Sequence, residues 1–205
     1  MKVVAVSQRV DLLADRGERR DALDQRLVTF LLEGGYVPVP VPNELFKETP
    51  EGGVIREAFD AWLEKVRPEA VVLSGGNDIG SCRERDLTES WLLAHAQHLK
   101  LPVLGICHGM QMMGVWASGE LKSVKGHVCT RHLLTGEISG EANSYHAFAL
   151  AGCPPGFALL SQSEDGEIEG IRHRDLPWEG WMWHPEREQE FDQRDLLRLK
   201  ALFGD

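Results

Sequence analysis

Cys107 stands directly after the apolar stretch 102–106, in the run Leu104-Gly105-Ile106-Cys107-His108-Gly109-Met110-Gln111. Small residues around a strand-to-helix turn lift a side chain out of a sheet at a sharp elbow. A thiol placed there meets the N-terminus of the next helix, where free N–H groups and the helix dipole favour the thiolate. This is the setting of a nucleophile; the alternative is a cysteine buried in a tight turn, against which the flanking glycines argue. Downstream, Trp183-His184-Pro185-Glu186 puts His184 and Glu186 at positions i and i+2 of an extended segment, so both side chains point the same way. A carboxylate can then hold one imidazole nitrogen while the other faces a nucleophile. A third component is Ser74-Gly75-Gly76-Asn77-Asp78, whose paired glycines let backbone N–H groups aim at a developing oxyanion. The stretch 75–81 echoes a phosphate-binding loop but lacks the lysine such a loop needs. Together these groups are the equipment of acyl transfer through a thioester.

They can meet only if the elements that carry them end at one edge. Residues 2–6, 36–41, 70–73 and 102–106 read as strands, and 21–33, 53–67 and 88–99 as helices. Leu23, Leu27, Phe30 and Leu31 share one face of the first helix, and Ile55, Phe59, Trp62 and Leu63 one face of the second. Gly34-Gly35 and Pro68 end these two, and Thr88 is the expected cap of the third. This alternation predicts an α/β fold with a mostly parallel central sheet and helices on both faces. Ligands of such sheets bind outside the carboxyl ends of the strands. Residues 8–9, 74–77, 107–109 and 184–186 all follow strands, which makes their convergence a site. After about residue 118 the pieces are shorter and richer in turns. A hairpin is expected over 159–163 and 167–171 through Asp165-Gly166, then a strand at 181–183 and a closing helix at 194–203. No change of composition marks a linker, so residues 1–205 are expected to form one domain.

With 205 residues, 42% of them apolar, the chain can bury a core. Its 22 Lys+Arg against 32 Asp+Glu give a net charge of −10, which argues against a nucleic-acid partner. No apolar run approaches the roughly 18 residues of a membrane span, and the first residues read as a strand rather than a secretion signal. A cytoplasmic protein is expected. Cys82, Cys107, Cys129 and Cys153 form no CxxC pair and read as reduced thiols. His127, His132, His146 and His173 show neither HxxxH nor HxH spacing, so no metal and no cofactor are expected. Trp178, Trp181 and Trp183 read as core and rim packing. Arg9, Arg83 and Arg85 lie near strand ends in an acidic chain, and guanidinium groups suit phosphate oxygens. They suggest an anionic leaving group; the alternative is surface pairing with Glu84, Asp86 and Glu89.

The run 105–111, the upstream Ser74-Gly75-Gly76-Asn77-Asp78 and the downstream His184-Pro185-Glu186 together resemble the class I glutamine amidotransferase family, and more narrowly its stand-alone γ-glutamyl hydrolases. The likeness covers nearly the whole chain in order and spacing. It implies a flavodoxin-like fold and hydrolysis of a small γ-glutamyl amide, with Cys107 as nucleophile, His184 as general base and acid, and Glu186 orienting the imidazole. It also implies an oxyanion hole from the N–H groups of Gly76 and His108. Gly75 and Gln111 would contact substrate, and Asn143, Ser144, Tyr145 and His146 would cradle the γ-glutamyl head group, much of it through backbone. The chain departs from these hydrolases at His108, where they usually carry Arg; the peptide N–H survives that change. Residues 74–78 with 85–89, and 183–188, resemble a smaller group of the family from surface-polysaccharide pathways, which includes the γ-glutamyl-CDP-amidate hydrolases of capsule decoration. A homodimer is compatible with this reading. Two rivals stand beside it: a glutaminase subunit that passes ammonia to a partner synthase, and a non-catalytic binding module on the same fold.

Overall fold

Ala70–Leu73 and Val103–Ile106 hold only apolar residues and one glycine, and all eight positions are buried. Strands buried at every residue need cover on both faces, so these two belong at the middle of a layered sheet. The computed structural model, which describes residues 1–49 and 53–204, places them there. The chain runs through β1 (Val3–Val6), β2 (Arg9–Leu13), β3 (Glu18–Ala22), α1 (Gln25–Glu33), β4 (Val37–Pro40), β5 (Lys47–Glu48), β6 (Val54–Ile55), α2 (Glu57–Val66), β7 (Ala70–Leu73), α3 (Arg83–Leu99), β8 (Val103–Ile106) and α4 (His108–Trp116). It continues through β9 (Leu121–Ser123), β10 (Val128–Gly136), β11 (Gly140–Tyr145), β12 (Phe148–Leu150), β13 (Phe157–Gln162), β14 (Ile168–His173), β15 (Trp178–Trp181), a 3-10 turn over Pro185–Arg187, and α5 (Gln193–Phe203).

Nine strands form one sheet in the order β11-β10-β13-β14-β15-β8-β7-β1-β4. The half from β15 to β4 is parallel, as the alternating first half of the chain requires. The half from β11 to β15 is antiparallel, the outcome of the turn-rich grammar after residue 118. Met110 and Met113 of α4, Leu92 and Leu93 of α3, and Leu196 and Leu199 of α5 are buried in the core that this sheet organises. Trp178, Trp181 and Trp183 are buried in it too, and each indole N–H has an acceptor: Leu101 O at 3.1 Å, Glu179 Oε2 at 3.0 Å and Asp195 Oδ2 at 3.0 Å.

Several boundaries differ from those expected. The helix expected over 21–33 starts at Gln25, where the Asp24 carboxylate accepts from Arg26 N at 2.8 Å. Residues 18–22 instead pair with 9–13 as an antiparallel ribbon. The helix expected over 53–67 begins at Glu57, because Val54–Ile55 pairs with Lys47–Glu48. α3 begins at Arg83, five residues before Thr88, which lies inside it and donates to Glu84 O at 2.9 Å. The last strand ends at Trp181 and does not extend to 183. All four cysteines are free thiols. No helix among the described residues is long and apolar enough to cross a membrane.

Candidate active site

β8 delivers its chain directly into Cys107, whose φ of 49° and ψ of −102° fall where only glycine is at ease. The bend is held from both sides: Cys107 N donates to Trp181 O at 2.7 Å, and Cys107 O accepts from Gln111 N at 3.0 Å in the first turn of α4. The thiol ends at the N-terminus of that helix.

Far along the chain but beside β8 in the sheet, β15 leads to His184. The His184 ring is 2% exposed, and its Nδ1 lies 2.6 Å from Glu186 Oε1. The Cys107 thiol also acts on this ring. Burial alone would lower its pKa; Cys107 and the hydrogen-bonded, negatively charged Glu186 overcome this and raise it to about 9. The backbone of His184 is clamped by Asn143, which accepts from His184 N at 2.9 Å and donates to His184 O at 2.8 Å. Arg26 of α1 holds the next turn by donating to Glu186 O at 2.9 Å. Neither Arg26 nor the clamping role of Asn143 is legible from residue spacing, because both act on backbone groups far away in the chain.

The Ser74–Asn77 turn closes the third side. Gly75 packs so tightly on His184 that a Cβ there would sit 2.5 Å from the imidazole Cε1. Gly76 has φ +146°, and a Cβ there would collide with the Arg85 guanidinium. Below this turn lies a buried ionic network. Arg85 Nη2 donates to Ser74 O at 2.6 Å, Arg85 Nε pairs with Glu89 at 3.0 Å, and the other oxygen of Glu89 lies 2.9 Å from His108 Nε2. Ser7 Oγ donates to Glu89 at 2.6 Å. Desolvation would raise the Glu89 pKa, but Arg85 and His108 outweigh it and bring it down to about 2.

A cavity of about 350 Å³ opens on the His184–Glu186 and Ser74–Gly75 side of this constellation, lined among others by Arg9, Asp24 and Arg187. Arg9 is paired with Asp11 at 2.7 Å, and the part-exposed Arg187 lies over the Tyr145 ring at 4.6 Å. Tyr145 also stands edge-on to the His184 ring at 5.6 Å. The expectation that Arg85 faces an anionic substrate is corrected: its side chain is fully buried and its guanidinium is spent on Glu89 and the Ser74 carbonyl. Other expected substrate side chains also turn inward. Gln111 donates to Phe148 O at 2.8 Å and Ser144 to His127 O at 2.8 Å, while Asn143 clamps His184 and His146 faces Glu169. Arg187, which spacing did not single out, takes the place at the cavity expected of Arg85. The histidines also separate. His127, His132 and His146 gather round Glu169, whereas His173 packs edge-on against Phe157 and Trp178.

Comparison with known proteins places this geometry. Residues 54–202 match the glutamine amidotransferase class-I family model. The chain is 29% identical over 136 residues to the gamma-glutamyl-CDP-amidate hydrolase of Campylobacter jejuni subsp. jejuni, covering 63% of this chain and 68% of that protein. It is 30% identical over 151 residues to a glutamine-hydrolyzing GMP synthase subunit of Thermococcus kodakarensis, covering 66% of this chain and 76% of that one. A crystal structure from Thermoplasma acidophilum, described as that of a GMP synthase subunit, superposes with a TM-score of 0.70 over 100% of this chain and 93% of its own at 20% identity, a likeness of fold. The sheet with a thiol elbow at one strand end and His-Pro-Glu at its neighbour thus belongs to a chain of the class I glutamine amidotransferase family.

Proposed function

We propose that this protein hydrolyses a γ-glutamyl amide bond through a thioester on Cys107, releasing glutamate and an amine. The observation that carries the reading is the His184 ring held between the Cys107 thiol and the Glu186 carboxylate, against Gly75. The Cys107 thiol gives its proton to His184 as Sγ attacks the amide carbon, and the resulting oxyanion is met by the N–H groups of Gly76 and His108. The C–N bond breaks as the His184 imidazolium gives its proton to the departing amine. Water then gives a proton to His184 and adds to the thioester, the C–S bond breaks, and glutamate leaves. Glu186 holds the ring throughout without taking the proton. Cys107→Ala is expected to lower turnover by several orders of magnitude while the protein stays folded. Activity surviving at more than a small fraction of wild type overturns the role of Cys107.

The leaving group we infer is a phosphorylated or nucleotide-linked amine, as in γ-glutamyl-CDP-amidate hydrolysis for capsule phosphoramidate supply. Similarity to the Campylobacter jejuni hydrolase supports this, as do Arg9 and Arg187 at the cavity beside His184. The test compares kcat/KM for γ-glutamyl-CDP-amidate with that for glutamine and γ-glutamyl-GABA, in wild type and Arg187→Ala. Glutamine hydrolysed as well as the phosphorylated compound, with the ratio unmoved in the variant, overturns the leaving group and leaves the hydrolase reading standing. The likeness to a glutamine-hydrolyzing GMP synthase subunit favours a second reading, a glutaminase that feeds ammonia to a partner synthase. Such a glutaminase is slow alone and accelerates with its partner, so full-rate hydrolysis by the isolated chain rules it out.

A further inference from the structure

Outside the Cys107 constellation, three strands bring a second set of polar side chains together. His127 stands just before β10, His132 lies on β10, His146 follows β11 and Glu169 lies on β14. His127, His146 and Glu169 are buried, and His132 is half-buried. Hydrogen-bond accounting fixes where the ring protons sit. The Phe148 carbonyl can only accept, so His146 Nδ1, 3.0 Å away, carries a proton. The Asp165 carboxylate, 2.9 Å from His127 Nε2, likewise accepts a hydrogen bond from that ring, so His127 Nε2 carries the proton. A neutral imidazole has one N–H, so each ring turns a bare nitrogen inward. His146 Nε2 lies 3.2 Å and His127 Nδ1 3.4 Å from the same oxygen, Glu169 Oε1. His127 Nδ1 and His132 Nε2 are both buried without a hydrogen-bond partner among the described residues.

Lone pairs that face a buried carboxylate cost free energy unless something positive lies between them. Extra protons are a poor remedy, because the His127 ring centroid is 4.1 Å from that of His132 and 4.7 Å from that of His146, and adjacent imidazolium charges repel. A cation satisfies the bare nitrogens of His127 and His132 and the Glu169 carboxylate at once. We propose that His127 Nδ1, His132 Nε2 and the Glu169 carboxylate bind a divalent transition-metal ion, Zn²⁺ by the nature of the donors. One ligand atom from each of these three residues lies within 4.8 Å of the others. Tetrahedral Zn²⁺ with Zn–N of about 2.0–2.1 Å sets its donors about 3.4 Å apart. His127 Nδ1 and Glu169 Oε1 already have that separation, and rotation of the half-buried His132 closes the rest. The far nitrogen of His127 bonds to Asp165, which Ser163 Oγ anchors at 2.6 Å, the carboxylate support that orients metal-binding histidines. The ion joins β10 to β14. Glu169 O accepts from Met182 N at 2.8 Å, so the joint bears directly on the segment that leads to His184.

The test is Co²⁺ titration of the tag-free, metal-stripped full chain, followed by visible absorption, with Zn²⁺ as competitor. One equivalent with the intense bands of four-coordinate Co²⁺, displaced by Zn²⁺, is expected. His132→Asn, a change at a half-buried position that the fold tolerates, abolishes the bands. Asp165→Ala weakens binding by roughly 10–100-fold at unchanged stoichiometry. Cys107→Ser keeps the bands, which separates this site from the thiol and His184. Absence of stoichiometric binding by wild type overturns the proposal, and so do bands that survive His132→Asn or vanish in Cys107→Ser.

Discussion

His184 has contacts that pull its protonation in opposite directions. Burial strips it of water, yet the Cys107 thiol and the Glu186 carboxylate favour the imidazolium and lift its pKa to about 9. An imidazolium that survives to that pH can still protonate a departing amine, so kcat/KM is expected to fall only as pH passes about 9. Glu186→Gln removes the negative charge but leaves an acceptor for the ring. The basic limb of the pH profile should then move toward neutrality, and the loss of rate should be smaller than in His184→Ala. A profile whose basic limb stays in place in Glu186→Gln counts against this division of roles. The bare fact that His184 and Glu186 lie two residues apart was legible, since side chains at i and i+2 share a side. What was not legible is the clamp by Asn143, whose two hydrogen bonds span 41 residues of chain.

At the scale of elements, α3 couples the Ser74–Asn77 turn to the elbow. Arg85, Glu89 and His108 are buried together, and removing one member strands the charge of another. Arg85→Met should cost roughly 3–5 kcal/mol in urea unfolding, and Arg85→Met with Glu89→Gln should recover part of it. Glu89 is held at about 2, below the ordinary carboxylate range, so the folded state binds its proton less readily than the unfolded chain. The stability this contributes is present in full above about pH 4.5 and is lost as pH falls toward about 2. The urea midpoint of wild type should therefore fall through that window more steeply than that of Glu89→Gln. This network also explains why α3 begins earlier than its pattern suggests: its first turns are polar, and two charged residues buried by pairing leave no mark in a hydrophobic period. β7, β8, α5 and the β13–β14 hairpin were legible because apolar burial writes their periods directly. The β2–β3 ribbon was not, since Glu18–Ala22 is largely exposed and shows no alternation. The His127–His132–Glu169 cluster was legible only in its two histidines: they flank and occupy β10, whereas Glu169 joins them from β14, far away in the chain.

At the scale of the molecule, a chain of net charge −10 has to admit a negatively charged substrate under the proposed reading. Charges spread over the surface act through water, where the Debye length is about 8 Å at physiological salt. Arg9 and Arg187 line the cavity itself. Local attraction should therefore win, and kcat/KM for the phosphorylated substrate should fall as salt rises toward 1 M while that for glutamine stays nearly level. Arg187→Ala should flatten the difference, and a rate that climbs with salt would show that the global charge governs entry. The backbone at Cys107 has a further implication for how such a protein can be improved. A non-glycine residue at φ 49°, ψ −102° holds strain of about 1–3 kcal/mol that glycine does not feel. Cys107→Gly should consequently melt above wild type, by roughly 2–4 °C for each kcal/mol released. A library screened for heat resistance alone would then enrich variants that have discarded the thiol on which the proposed hydrolysis depends, and thermostable descendants of this chain have to be selected on turnover as well.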